Sequence, residues 1–122
     1  MDFSELIGKT LTAVIYDEDR VIFQVSENEA YVLYHDQDCC EMVRLEDVNG
    51  EWDDLIGSPI VRAEENSKKD VDSFKEPPKN EDAEEEEWTF YRIGTKKGTV
   101  VLRWYGTSNG YYSTAVNFER VN

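Results

Sequence analysis

Short runs in which apolar and polar residues alternate recur along most of the chain, and such runs predict strands. TLTAVIY (10–16), VIFQV (21–25) and AYVLYH (30–35) come first, separated by the polar turns DEDR and SENE. MVRLEDV (42–48) is a weaker run, closed by an Asn-Gly turn signal at 49–50, and PIVRAEE (59–65) continues the pattern. EWTFYRI (87–93), TVVLRWY (99–105) and YYSTAVNF (111–118) complete it. All eight are rich in β-branched and aromatic residues, which fit a pleated, half-buried surface. The expected fold class is therefore mainly β, a β-dominated α+β domain. About eight short strands would form an antiparallel sheet or a barrel-like domain, with two short helical turns.

Those two turns, FSELIG near the start and EWDDLIG at 51–57, share a local design. ELIGKTLTAV (5–14) aligns with DLIGSPIVRA (54–63), placing Leu6 over Leu55, Ile7 over Ile56, Gly8 over Gly57 and Leu11 over Ile60. Each is an acidic turn, a Leu-Ile pair, a glycine stop and a strand. Glycine ends such a turn because it enters the left-handed region without a Cβ clash. The pair is either a weak internal duplication or one local solution used twice, and its role is structural.

Residue spacing also suggests hairpins. A three-residue SNG loop in VVLRWYGTSNGYYSTAVNF would set Leu102 against Val116, Val100 against Phe118 and Tyr105 against Ser113, giving one apolar and one polar face. The polar face would carry Arg103, Tyr105, Tyr111, Ser113 and Asn117. In the preceding hairpin a KKG loop sets Phe90 against Trp104, whereas a KG loop sets Arg92 against Arg103. Facing arginines repel unless an anion lies between them, which makes Arg92 and Arg103 a candidate clamp for a phosphate or carboxylate.

Composition narrows the class. The chain has 122 residues, the size of one domain, and its apolar share of 39% can fill a core. The formal net charge of −14 repels phosphate backbones, so direct nucleic-acid binding over a broad face is not expected. Residues 64–87 hold eleven acids against four bases, with two prolines and few apolar side chains. They read as an acidic, mobile insertion in a single domain spanning 1–122. MDFSELIGK resembles no signal peptide, and no run is long enough to span a membrane. Two adjacent cysteines make no loop-closing framework, which suits a reducing cytoplasm.

The octet YHDQDCCE (34–41) concentrates the reactive residue types: the only histidine and both cysteines. Structural zinc needs four ligands, commonly in paired spacings, and Cys39 and Cys40 on a strand point to opposite faces. Asp36, Asp38 and Glu41 disfavour a thiolate, and no C-x-x-C is present. No third group orients a Cys–His pair, and Gly-rich phosphate loops, G-x-S-x-G and H-E-x-x-H are missing. No metal, cofactor or catalytic residue is therefore expected. The octet reads either as a strand ending at His35, a polar DQD turn and a small buried cysteine opening the next strand, or as a turn whose His35, Asp36, Gln37 and Asp38 line a pocket mouth as hydrogen-bonding groups.

YHDQDCCE, followed by WTFY and RWYGTSNGYYS, resembles a family of small uncharacterised domains of phages and prophages. The likeness runs from Leu6 to Val121, with 64–87 as its variable insertion. The resemblance implies a phage protein in the cytoplasm of a bacterial host, and it implies no activity. By analogy with other small phage proteins, a non-enzymatic binding protein is expected, modulating a host factor in counter-defence or host takeover. Its partner would be a host protein or a small, anionic, nucleotide-like ligand. The expected ligand-binding residues are His35, Asp38, Arg92, Arg103, Tyr105, Asn109, Tyr111 and Ser113. The alternative is an acidic nucleic-acid mimic that blocks a host nuclease through acids around 81–87.

Overall fold

The computed structural model describes residues 1–37, 41–68, 85–108 and 114–121. Eight strands form: β1 Ala13–Tyr16, β2 Arg20–Ser26, β3 Glu29–Tyr34, β4 Met42–Asn49, β5 Arg62–Lys68, β6 Glu85–Thr95, β7 Gly98–Ser108 and β8 Asn117–Arg120. The two expected helical turns are single 3₁₀ turns, Phe3–Leu6 and Trp52–Leu55, and no α-helix occurs among the described residues. The fold is mainly β, as the alternation predicts.

The strands form two antiparallel four-stranded sheets, ordered β1-β2-β3-β8 and β4-β7-β6-β5. The barrel-like alternative is thereby corrected: this is not a closed barrel. The segments leading into β1 and β5 form isolated bridges, Thr10 with Pro59 and Leu11 with Ile56, and no named strand pairing. Pro59 has no N–H to donate, and glycines at 8 and 57 bend the chain just before, so no continuous ladder joins the sheets.

Inward-facing residues of both sheets build one core. Val21, Phe23, Tyr31, Leu33 and Phe118 come from the first sheet, and Leu45, Tyr91, Ile93, Leu102 and Trp104 from the second. Phe3 ties them together, its ring lying edge-on to Phe118 at 5.2 Å and to Tyr91 at 4.8 Å. Burying a large apolar side chain contributes roughly 1.5–3 kcal/mol, so a residue serving both sheets is a principal anchor of their packing.

The two Leu-Ile-Gly segments are partners. Gly8 N–H donates to Ile60 O at 2.7 Å, and Gly57 N–H donates to Leu11 O at 3.0 Å. Since Gly8 aligns with Gly57 and Leu11 with Ile60, these bonds are the same bond made in both directions. Both glycines have positive φ, 90° and 84°, and Leu6 and Leu55 are both buried. The likeness extends to topology. Each segment is followed by a three-strand meander, and the next strand then crosses to the other sheet: β4 pairs with β7, and β8 with β3. Matching β4 to β8 also aligns Val43, Leu45, Glu46 and Val48 with Val116, Phe118, Glu119 and Val121. The internal correspondence thus covers whole halves that exchange their fourth strands.

That exchange overturns the expected β7–β8 hairpin. The free side of β7 is taken by β4, so Leu102 faces Val48 rather than Val116. Phe118 faces Leu33 rather than Val100. The β6–β7 turn is Lys96-Lys97, which closes one residue before the Gly98 end of either loop considered above. Arg92 accordingly faces Val101, and Arg103 faces Phe90. The Arg92-against-Arg103 register does not form. Both ends of the acidic stretch are strand, with Glu64–Lys68 in β5 and Glu85–Glu87 in β6. Its middle, 69–84, lies outside the described residues. It occupies the β5–β6 connection, where the first half has only the short Asp17–Asp19 turn.

Candidate functional site

The crossovers that exchange β4 and β8 meet at His35. Its Nδ1 lies 2.6 Å from Ala115 O, on the β7–β8 crossover, and its Nε2 lies 2.8 Å from Glu41 Oε2, just before β4. A carbonyl only accepts, so Nδ1 carries a proton. The bond to Glu41 needs one further proton, on the imidazole or on the carboxyl. Either way the pair is neutral overall, which lets it tolerate burial. The His35 side chain is 5% exposed and that of Glu41 0%. Gln37 Nε2 donates to the Glu41 backbone carbonyl at 2.7 Å and approaches Oε1 at 3.3 Å, which holds the carboxyl in place. Beside this junction Thr114 donates its hydroxyl hydrogen to Glu87 at 2.8 Å. Thr114 also packs so closely over Gly106 that a Cβ there would lie 2.8 Å from the threonine Cβ.

Arg92, Arg103 and Tyr105 share the outer face of the second sheet. Arg103 Nη2 reaches Glu46 at 3.2 Å, and the guanidinium lies 5.5 Å from the Trp88 ring centroid. Glu46 is the extra residue of a bulge between Leu45 and Asp47, which turns it toward Arg103. Trp88, Phe90 and Tyr105 form a small buried cluster beside it, with Trp88 and Tyr105 rings 4.2 Å apart. Across the strands Arg92 faces Glu64, and Arg103 faces Asp47. Each arginine thus has a carboxylate-bearing neighbour.

Asp38, Asn109, Tyr111 and Ser113 lie outside the described residues, as do both cysteines. Of the expected site residues that are described, His35 directly follows β3 of the first sheet, and Arg92, Arg103 and Tyr105 stand on the second. Among the described residues no group of three or more His, Cys, Asp and Glu is placed to hold a metal ion. Among them, too, no helix is long and apolar enough to cross a membrane.

The outer face of the first sheet carries a depression of about 540 Å³, lined by Asp19, Arg20, Ile22, Val32, Tyr34, His35, Glu119 and Val121. Strand register explains it. One cross-strand row runs Ile15, Ile22, Val32 and ends on Glu119; the next runs Arg20, Tyr34, Asn117. Loss of hydration first, and then the hydrogen bond to Glu119, push the Tyr34 phenol above its ordinary range. Val121 in the lining is 52% exposed, and Ile15, 57% exposed, carries the apolar surface beyond the depression onto β1. This face was missed because its residues lie on four different strands. The available signal was β-branched residues on both faces of VIFQV and AYVLYH, where a strand with one wet face would alternate.

No curated protein and no solved structure matches the chain. A family model described as a domain of unknown function, DUF7448, matches residues 4–118. That match takes in both halves of the fold, the His35 junction and most of the outer face just described, so the chain belongs to the DUF7448 family.

Proposed function

We propose that this protein is a non-enzymatic binding protein whose partner is another protein. In this reading it is a phage-type domain acting in the cytoplasm of an infected bacterium, where it modulates a host factor. One observation carries the non-enzymatic reading: the only histidine is engaged at both ring nitrogens and buried, so it presents no free base to a substrate. A protein partner is favoured over a small anion because Arg92 and Arg103 both face acidic residues, whereas the first sheet offers an open apolar face. The phage setting rests on the resemblance described above.

Purification of the tagged chain from expressing bacteria, with mass spectrometry of what accompanies it, tests this reading. A stoichiometric protein supports it. A nucleotide that is lost in Arg92→Ala and Arg103→Ala would move the site to the arginine face. Turnover of a nucleotide or peptide substrate, lost in His35→Ala but kept in an equally destabilised core variant, would overturn it.

The net charge of −14 sustains a second reading, an acidic mimic occupying the nucleic-acid groove of a host nuclease. Deleting 69–84 would abolish partner binding by a mimic, and added salt would weaken it steeply.

A further inference from the structure

We infer that the outer face of the first sheet is a docking groove for a basic amphipathic segment of a partner protein. The inference rests on the binding reading above and names its surface and chemistry. The floor is Ile22 and Val32, directly paired across β2 and β3, and Ile15 prolongs the row onto β1. The row stops at Glu119 on β8, and Val121 flanks it, so apolar contact and a carboxylate lie side by side. Asp19 stands at the rim, and the exposed Asp36 lies close enough to act on Tyr34. Arg20 also lines the groove, set opposite Tyr34. An apolar centre with a charged rim is the anatomy of a protein-binding patch.

Charge chooses the occupant. A chain of net charge −14 repels a second copy of itself, an acidic peptide and an anionic lipid surface, and it attracts a cationic partner over several ångströms. Lysine or arginine side chains of the partner would meet Glu119 and Asp19, while its apolar residues cover Ile15, Ile22, Val32 and Val121. Glu119 stands at the groove edge by its place on β8, directly paired with Val32.

The experiment titrates the intact chain with a short amphipathic leucine–lysine peptide, and with its leucine–glutamate counterpart, following amide chemical shifts. Perturbations gathered on β2, β3 and β8 are expected with the lysine peptide alone. The Ile15→Ser, Val121→Ser double variant should bind it about tenfold more weakly, since two exposed apolar contacts are lost. Glu119→Gln should weaken binding and flatten its salt dependence. Equal binding of both peptides, or affinity for the lysine peptide unchanged in the double variant, overturns the groove. So does a concentration-dependent dimer that the double variant abolishes, because the face would then belong to a second copy. A cellular partner retained by the double variant overturns the groove and leaves the binding reading intact. Enzymatic turnover dependent on His35 removes the binding reading itself.

Discussion

His35 and Ala115 are separated by 80 residues of chain, and the imidazole Nδ1 lies 2.6 Å from the Ala115 carbonyl oxygen. That bond joins the two crossovers by which the halves of the molecule exchange their fourth strands. With Glu41 on the other ring nitrogen, the imidazole pins both crossovers at once. Removing it should therefore act on stability. His35→Ala leaves a fully buried carboxyl without its partner and is expected to cost about 3 kcal/mol, by analogy with broken buried pairs. Glu41→Gln keeps a hydrogen-bonding group in place and should cost about 1 kcal/mol. Urea unfolding of the three chains measures both, and equal midpoints for His35→Ala and the parent would remove the junction's structural role.

The glycines should separate by what surrounds them. Gly8 has φ 90°, and a Cβ placed there would meet nothing within 4 Å among the described residues; Gly57 has φ 84°, and there Lys97 Nζ, at 3.8 Å, is the one atom of the described residues that a Cβ would meet. Alanine at either position bears chiefly the backbone penalty, about 1 kcal/mol. Gly50 has φ 126°, and a Cβ would lie 2.8 Å from Thr99 O, so Gly50→Ala should be the most damaging of the three. Thermal unfolding ranks them, and a Gly50→Ala chain as stable as Gly8→Ala would contradict the ranking.

Exchange of β4 and β8 makes each half depend on the other. Fragments 1–50 and 51–122 should each lack a cooperative unfolding transition, because each presents an outer strand that has no sheet of its own to join. Mixed in equal amounts, they should recover a single transition and strand-like circular dichroism. Independent folding of either fragment would show that its meander is self-sufficient.

Lys9, Glu29 and Tyr31 predict a pH window. Lys9 Nζ lies 2.6 Å from Glu29 Oε2, and Tyr31 Oη also donates to that oxygen at 2.6 Å. The hydrogen bond from Lys9 holds the Glu29 carboxyl below its ordinary 4.5, and the bond to Glu29 holds the Lys9 ammonium above its ordinary 10.5. A depressed carboxyl contributes stability above 4.5 that is lost as pH falls through its folded value. A raised ammonium contributes below 10.5 and loses it as pH rises through its folded value. The stability gap between the parent and Lys9→Met should thus be steady from 4.5 to 10.5 and close at both extremes. Melting temperatures across pH test this, and a gap unchanged at low pH would exclude the pair as its source.

Local information carried the strands a long way. β-branched alternation located seven strands near their observed positions, whereas the run 111–118 overlaps β8 only at Asn117 and Phe118; the acidic Leu-Ile-Gly segments located both 3₁₀ turns, because strand patterning and glycine stops act over a few residues. The same patterning confined helix to those two short turns. It placed His35 beside acidic residues, though Glu41 entered that reading as a neighbour of the thiols and not as the histidine's partner.

Tertiary structure decided what local pattern leaves degenerate. β7 could pair with β8 or with β4, since its inward residues Val100, Leu102 and Trp104 suit either neighbour; closing the core over Phe3 selected β4 and sent β8 to Leu33. The same choice brought Ala115 to His35 and assembled Ile15, Ile22, Val32 and Val121 into one face. By itself the sequence determined which segments are extended and where they turn, because dihedral preference and side-chain alternation are local. Which edges meet depended on burying both sheets around a common core, a free energy shared by residues far apart in the chain.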